Sequence, residues 1–492
     1  MSKQIPTMPA AESALPTGIA GLDAILNGGL VRPALVVVIG PPGAGKTILA
    51  SKVIFHAASQ GLQSLIFTSF SEGVTQYIQH LRTLDFFDYS QIGTTIQLFT
   101  LASQLKDEDT SPAAAIARTI RASAAKVVLL DGFQNIESPS MQTQELLAAL
   151  ATQIRFLDTT IIITLAGNAR DRQFYSVMTA ADIVLSLNYG VVGRRHERLL
   201  EVVKIRGRRQ RPGLHSYRID VDGIMVFPRI EGYEVPSAPA RSTERAPFRL
   251  PELDQLLSGG LNVGTTTVLA GAPGVGKTTL GLYWALADAR PDAVTLFLTF
   301  AEHLDQLQLK AAAFGLDLSA AVANESVRVV RLSAVDLNPD EVAAVLLAEL
   351  AARPVQRLII DDLAVLLHEL GERTRDYLGA LNDIVYGANI TSLFLLEISP
   401  FEGLRLNITN TPLALLGDNV IVVQQYEIGG QLRRLLAVLR MRLSFFDRTL
   451  RELVLDARGV RIMPAAESDT GVLASGAELG GGVAPAAEPP AK

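Results

Sequence analysis

Residues 34–47 read Ala-Leu-Val-Val-Val-Ile-Gly-Pro-Pro-Gly-Ala-Gly-Lys-Thr, and residues 265–278 read Thr-Thr-Thr-Val-Leu-Ala-Gly-Ala-Pro-Gly-Val-Gly-Lys-Thr. Each is an apolar run that ends in G-x-x-x-x-G-K-T and continues into a helical pattern, over Thr47–Ser59 in the first case. Gly40, Gly43 and Gly45, with Ala44 among them, let the backbone turn with its amide hydrogens facing inward, around phosphate oxygens. Gly271, Gly274, Val275 and Gly276 occupy the same places in the second stretch. The helix that follows adds its positive N-terminal end. Lys46 and Lys277 are placed to reach the β- and γ-phosphates of a nucleoside triphosphate, and the hydroxyls of Thr47 and Thr278 to ligate Mg²⁺. Two nucleotide sites are therefore expected.

The loops are two landmarks of a longer repeat. Gly21-Leu22-Asp23 with Gly28-Gly29-Leu30 returns as Glu252-Leu253-Asp254 with Gly259-Gly260-Leu261. Phe70-Ser71-Glu72 returns as Phe300-Ala301-Glu302, Asp131 as Asp361, and Lys204-Ile205-Arg206 as Arg440-Met441-Arg442. The order is conserved between the copies at a nearly constant offset, so one domain has been duplicated. The pattern predicts an extension over residues 1–14, a first domain over 15–233, a linker over 234–246, a second domain over 247–463 and a tail over 464–492. The tail is rich in Ala, Gly and Pro and has no aromatic residue. It holds too little apolar surface to offset the entropy of ordering, and disorder is expected there.

Within the first copy, short apolar runs mark strands near Ala34–Ile39, Gln63–Thr68, Lys126–Leu130, Thr160–Thr164, Ile183–Leu187 and Leu199–Ile205. Helical stretches such as Thr47–Ser59 and Met141–Phe156 lie between them. Alternation of this kind predicts an α/β fold, a mostly parallel sheet flanked by helices, once per copy.

Composition narrows the class. The 492 residues include 44 Lys+Arg, 50 Asp+Glu and no cysteine, for a formal charge of −6. Without cysteine there are no disulfides, thiol nucleophiles or Cys-ligated metals, which fits a cytoplasmic protein. Apolar residues reach 48%, yet the runs stay well short of the ~18 residues that a membrane-spanning helix needs. An acidic balance argues against a general nucleic-acid coat.

A magnesium site needs an acidic residue at the end of an apolar strand. Asp131 after Lys126–Leu130 and Asp361 after Arg357–Ile360 supply one per copy. Glu72 and Glu302, each ending the strand after the phosphate loop's helix, are the candidates for positioning the attacking water. Two basic strips, 194–211 and 433–451, stand at equivalent places and call for an anionic partner. In each, residues i and i+2 of a strand share a face, so Lys204 with Arg206, and Arg440 with Arg442, form two-pronged cations.

These features resemble the KaiC family of RecA-like ATPases. The likeness rests on Thr17–Asp23 with Gly28–Leu30, the phosphate loops, the strand aspartates, Val203–Gly207 and the closing run Ile219–Pro228. It implies tandem RecA-like P-loop domains, ATP and Mg²⁺ as cofactors, and an ATP-dependent homo-hexamer with nucleotide held between neighbouring subunits. It also implies that the Lys204/Arg206 and Arg440/Arg442 pairs reach a neighbour's γ-phosphate. Two departures bear on activity. The family carries paired glutamates after the second strand, where this chain has Ser71-Glu72 and Ala301-Glu302. Where the family's clock proteins carry an adjacent phosphorylated Ser and Thr, this chain has Ala414-Leu415.

The leading expectation is a slow ATPase whose nucleotide state controls ring assembly and signalling to a protein partner, without clock-type autophosphorylation. A nucleotide-gated scaffold with negligible turnover is the alternative. DNA handling, as in other RecA-like ATPases, and Ser/Thr autokinase activity are further alternatives.

Overall fold

The computed structural model describes residues 14–68, 73–101, 112–132, 149–152, 156–192, 195–234, 243–398, 417–428, 430–456 and 458–465. The chain divides into two compact units, Met1–Gly232 and Tyr233–Lys492.

The first unit is built on nine strands: β1 Leu35–Gly40, β2 Ser64–Thr68, β3 Ile96–Thr100, β4 Val127–Leu130, β5 Thr160–Ala166, β6 Ile183–Val192, β7 Arg195–Ile205, β8 Leu214–Asp220 and β9 Gly223–Phe227. They form one sheet in the order β3-β2-β4-β5-β1-β6-β7-β8-β9. The run from β3 to β6 is parallel, and β6 to β9 continue as antiparallel neighbours. The expected mostly parallel α/β sheet is thus present, extended by a β8–β9 hairpin and by edge strand β3.

Why β1 lies at the centre follows from its sequence. Every residue of Leu35–Gly40 is buried. Val36 and Val38 pack on one face with Ile54 and Phe55 of the helix Lys46–Ser59, while Leu35, Val37 and Ile39 pack on the other with Ile116 and Ile120 of the helix Pro112–Ser123. A strand covered by helices on both sides must be apolar at every position rather than at alternate ones. The expected helix Met141–Phe156 falls mostly outside the described residues.

The second unit repeats this plan. A short pair, β10 Arg245–Ala246 and β11 Leu261–Asn262, precedes β12 Thr266–Gly271, β13 Val294–Thr299, β14 Val327–Arg331, β15 Val355–Asp361, β16 Thr391–Glu397, β17 Asn419–Ile428, β18 Gln431–Met441, β19 Arg451–Asp456 and β20 Gly459–Pro464. The sheet order is β14-β13-β15-β16-β12-β17-β18-β19-β20, strand for strand that of the first unit. The first unit matches the β10–β11 pair with a bridge between Leu15 and Leu30. Among the described residues, no helix is long and apolar enough to cross a membrane.

Candidate nucleotide sites

In each unit the loop leaves the C-terminal end of the central strand and feeds straight into a helix, Lys46–Ser59 or Lys277–Leu286. Gly45 and Gly276 stand at the helix N-caps in left-handed conformation, with φ of +88° and +103°. A Cβ on Gly45 would meet Ile219 Cδ1 at 2.4 Å, and one on Gly276 would meet Leu455 Cδ1 at 2.5 Å. Only glycine combines that backbone with that space. On the strands, Gly40 and Gly271 run against the carbonyls of Leu187 and Val423, at 2.2 Å and 2.4 Å from an added Cβ. The glycine spacing of the motif is therefore set by steric fit as well as by phosphate chemistry.

The lysines lie back over their own loops. Lys46 Nζ donates to the carbonyls of Gly40 and Pro41, both at 2.9 Å. Lys277 Nζ donates to Gly271 at 2.9 Å and Ala272 at 3.0 Å. Burial pulls both ammonium groups below the ordinary lysine range, and nearby carboxylates, Asp131 for Lys46 and Asp362 foremost for Lys277, pull them back up. Each is a partly desolvated cation held over its own loop, which fits a polyphosphate.

The threonine–aspartate pair forms in both units. Thr47 Oγ1 donates to Asp131 at 3.0–3.1 Å, and Thr278 Oγ1 to Asp361 Oδ2 at 2.9 Å. A hydroxyl and a carboxylate converging beside a phosphate cradle are the donor set that Mg²⁺ takes in such loops. Behind Asp131, Thr164 Oγ1 donates to its Oδ1 at 2.5 Å and accepts from the amide of Gly132 at 2.9 Å. Thr164 is invisible to motif reading because it comes from β5, distant in sequence.

Among the described residues, the second site is the more acidic. Asp361, Asp362, Glu302 and Glu397 gather there, and burial, with smaller repulsion from Asp362 and Glu302, pushes the Asp361 carboxyl up to about 6. The folded state therefore holds this proton more tightly than the unfolded chain, whose aspartates titrate near 3.9. This carboxyl's contribution to the stability of the unliganded second unit is fully present below pH ~4 and is lost as pH rises through 4–6, a loss of about 3 kcal/mol. Asp361→Asn removes this dependence. The variant should melt later than the parent at pH 7.5 and alongside it at pH 4. Emission of the chain's one tryptophan, the fully buried Trp284, follows the second unit alone.

Glu302 is within the site's reach but is engaged. Its carboxylate pairs with Lys310 at 2.5 Å, from the helix Leu304–Ala313, and Lys310 also offsets the charge at Asp361. Glu72, Ala414 and Leu415 lie outside the described residues.

The paired cations sit at the other end of the sheet. Lys204 lies opposite Val184 and Ile205 opposite Ile183, which itself pairs with Val36, four residues before Gly40. At about 3.3 Å per residue, that places them roughly 13 Å along the strands from the loop of the same unit. Lys204 Nζ donates to the carbonyls of Met178 at 2.7 Å and Thr179 at 3.0 Å. Arg206 pairs with Asp182 at 3.3 Å and donates to Thr179 at 2.7 Å. In the second unit, Arg440 donates to the carbonyl of Gly417, and Arg442 pairs with Asp418 at 3.5 Å. Burial, and then repulsion from its neighbouring cation, holds Lys204 below the ordinary lysine range and Arg440 below the ordinary arginine range. Lys204 and Arg440 lie on β7 and β18 as the sequence suggests, whereas Arg206 and Arg442 stand one residue past the ends of those strands; what the register adds is the distance of both pairs from their own loops.

Comparison with known proteins agrees with this geometry. The KaiC ATPase family model matches residues 15–231 and again 246–467. The circadian clock oscillator protein KaiC of Parathermosynechococcus lividus is 24% identical over 473 residues, covering 91% of this chain and 84% of that protein. Those of a Picosynechococcus species and of Rippkaea orientalis are each 25% identical, over 464 and 467 residues, covering 91% of this chain and 89% and 88% of theirs. The KaiC family is one of P-loop ATPases, which bind ATP with Mg²⁺. With two matched copies, two equivalent phosphate loops and two equivalent Thr–Asp pairs, the chain belongs to the KaiC ATPase family.

Proposed function

We propose that the chain is a slow, Mg²⁺-dependent ATPase that assembles into a hexameric ring when nucleotide binds, and that its nucleotide state is read by a protein partner in the cytoplasm. The observation that carries this reading is the repeated pairing of a glycine-shaped loop, a desolvated lysine and a Thr–Asp couple at equivalent places in both units. Bound Mg²⁺–ATP supplies the scissile γ-phosphoryl group and the metal that screens its charge. Lys46 and Lys277 hold the β- and γ-phosphates. Thr47 with Asp131, and Thr278 with Asp361, hold the metal. Glu72 and Glu302 orient water. Lys204 with Arg206, and Arg440 with Arg442, stabilise charge in a neighbour's site, which their distance from their own loops supports.

A scaffold with negligible turnover is the second reading. It is favoured by Ser71 and Ala301 at the family's first-glutamate positions and by the capture of Glu302 by Lys310. Phosphate release from Mg²⁺–ATP, measured at protein concentrations that permit assembly, separates the two. Turnover that vanishes in Lys46→Ala with Lys277→Ala supports the ATPase, whereas binding without release supports the scaffold. Clock-type autophosphorylation is expected to be absent. Mass spectrometry after incubation with Mg²⁺–ATP should find no stoichiometric phosphate on residues 405–420, and finding it there would contradict this reading.

A further inference from the structure

We propose that Tyr189, Arg198 and Tyr217 act as a clamp that fixes the first phosphate loop in its receiving conformation, and that the second loop has no equivalent. The proposal rests on the nucleotide reading above and adds positioning residues to it. The three side chains come from adjacent antiparallel strands β6, β7 and β8 and donate to three successive loop carbonyls. Tyr189 reaches Pro42 at 3.1 Å, Arg198 reaches Gly43 at 3.0 Å, and Tyr217 reaches Ala44 at 2.7 Å. With Lys46 on Gly40 and Pro41, every carbonyl from residue 40 to residue 44 accepts from a side chain.

The consequence follows from peptide geometry. In a trans peptide the C=O and the following N–H point in opposite directions. Holding the carbonyls of Pro42 and Ala44 toward the clamp therefore aims the amides of Gly43 and Gly45 away from it, toward the phosphate cradle. The amide of Ala44 closes a turn on Pro41 at 3.2 Å, which ties the same segment from inside. A loop already in this shape loses less freedom when it binds.

The arginine is aimed by the phenols. Its guanidinium lies 5.6 Å from the Tyr189 ring centre and 6.0 Å from that of Tyr217, within cation–π range of both. Strand register identifies the counterparts in the second unit. Tyr189 pairs with Arg198 across β6–β7 as Gln425 pairs with Arg434 across β17–β18, and Ser216, beside Tyr217, corresponds to Glu452, beside Leu453. The arginine is therefore kept and both phenols are replaced. Among the described residues, no side chain is placed on the carbonyls of Pro273, Gly274 or Val275, and the buried Nε of Arg434 has no hydrogen-bond partner. The same cation without its aromatic seat does not reach the loop.

Titration calorimetry with Mg²⁺ and a non-hydrolysable ATP analogue tests this one site at a time. In a Lys277→Ala background, where only the first loop binds, Tyr217→Phe should raise Kd about 3- to 10-fold, and Tyr189→Phe with Tyr217→Phe by about 10-fold or more. In a Lys46→Ala background, Gln425→Tyr gives Arg434 a phenol at an exposed position and should tighten the second loop about 3-fold. A merely structural role would lower the melting temperature of the phenylalanine variants and leave Kd where it was. Parent binding that depends on Lys46, with Kd in both phenylalanine variants unchanged within 2-fold, would overturn the clamp while leaving the nucleotide reading intact. Failure of the parent to bind at all would overturn that reading, and the clamp with it.

Discussion

Exchanging Lys46 and Lys277 together for alanine is expected to weaken Mg²⁺–ATP binding by at least about 100-fold at both loops. A hydrogen bond to a charged group contributes about 1.5–3 kcal/mol, and each lysine is placed to bridge two phosphates. Losing two such contacts costs about 3–6 kcal/mol, or two to four orders of magnitude in Kd. The free protein already commits each ammonium to two loop carbonyls, so the variant also leaves the cradle without its inner strut. Each single exchange should remove one of two binding events. Trp284, buried on the helix that follows the second loop, should report the loss in Lys277→Ala and stay silent in Lys46→Ala. Unchanged affinity in the double variant, by equilibrium dialysis, would contradict the assignment of both sites.

The second large effect is expected at the opposite end of the sheet. In a Lys277→Ala background, which silences the second loop, Lys204→Ala with Arg206→Ala should leave nucleotide binding by the first unit's own loop intact and lower the remaining turnover by about 1,000-fold, the lower range for a charge-stabilising arginine supplied by a neighbour. In the free chain these cations lie on the carbonyls of Met178 and Thr179, near the C-terminal end of the helix Tyr175–Ala180, where positive charge is favourable on its own account. Capping alone would cost stability and spare turnover. Mixing subunits separates the roles. Chains carrying Lys46→Ala have intact cations, and chains carrying Lys204→Ala with Arg206→Ala have an intact loop. Co-assembly should restore part of the first-ring turnover that neither chain shows alone. Equal turnover before and after mixing would assign these residues to capping.

Much of this architecture is legible in the sequence because its decisive signals are local. A glycine loop after an apolar run, a strand-end aspartate and their recurrence each occupy a few consecutive residues. Edge strand β3 is harder to read: beyond Ile96 its residues are only partly buried, so Ile96–Thr100 has no continuous apolar run. The β8–β9 hairpin turns at Val221-Asp222, between Asp220 and Gly223, within a stretch quoted only as a domain ending. At the sites, the loops, Asp131 and Asp361 are found by motif, whereas Thr164, Tyr189, Arg198 and Tyr217 are not. Their roles depend on which residue faces which across neighbouring strands, and a register shift between Val184 and Leu185 sets that pairing. The engagement of Glu302 by Lys310 likewise depends on how the chain bends into the helix at Leu304, a feature that spacing does not encode.

The central claim is that both loops grip triphosphate and that adjoining chains complete the sites. Light scattering combined with nucleotide content, with and without Mg²⁺–ATP, tests it most directly. The account predicts six chains carrying two nucleotides each when Mg²⁺–ATP is present, and smaller species when it is removed. A single chain at saturating Mg²⁺–ATP, or a ring that forms without binding any nucleotide, would contradict it.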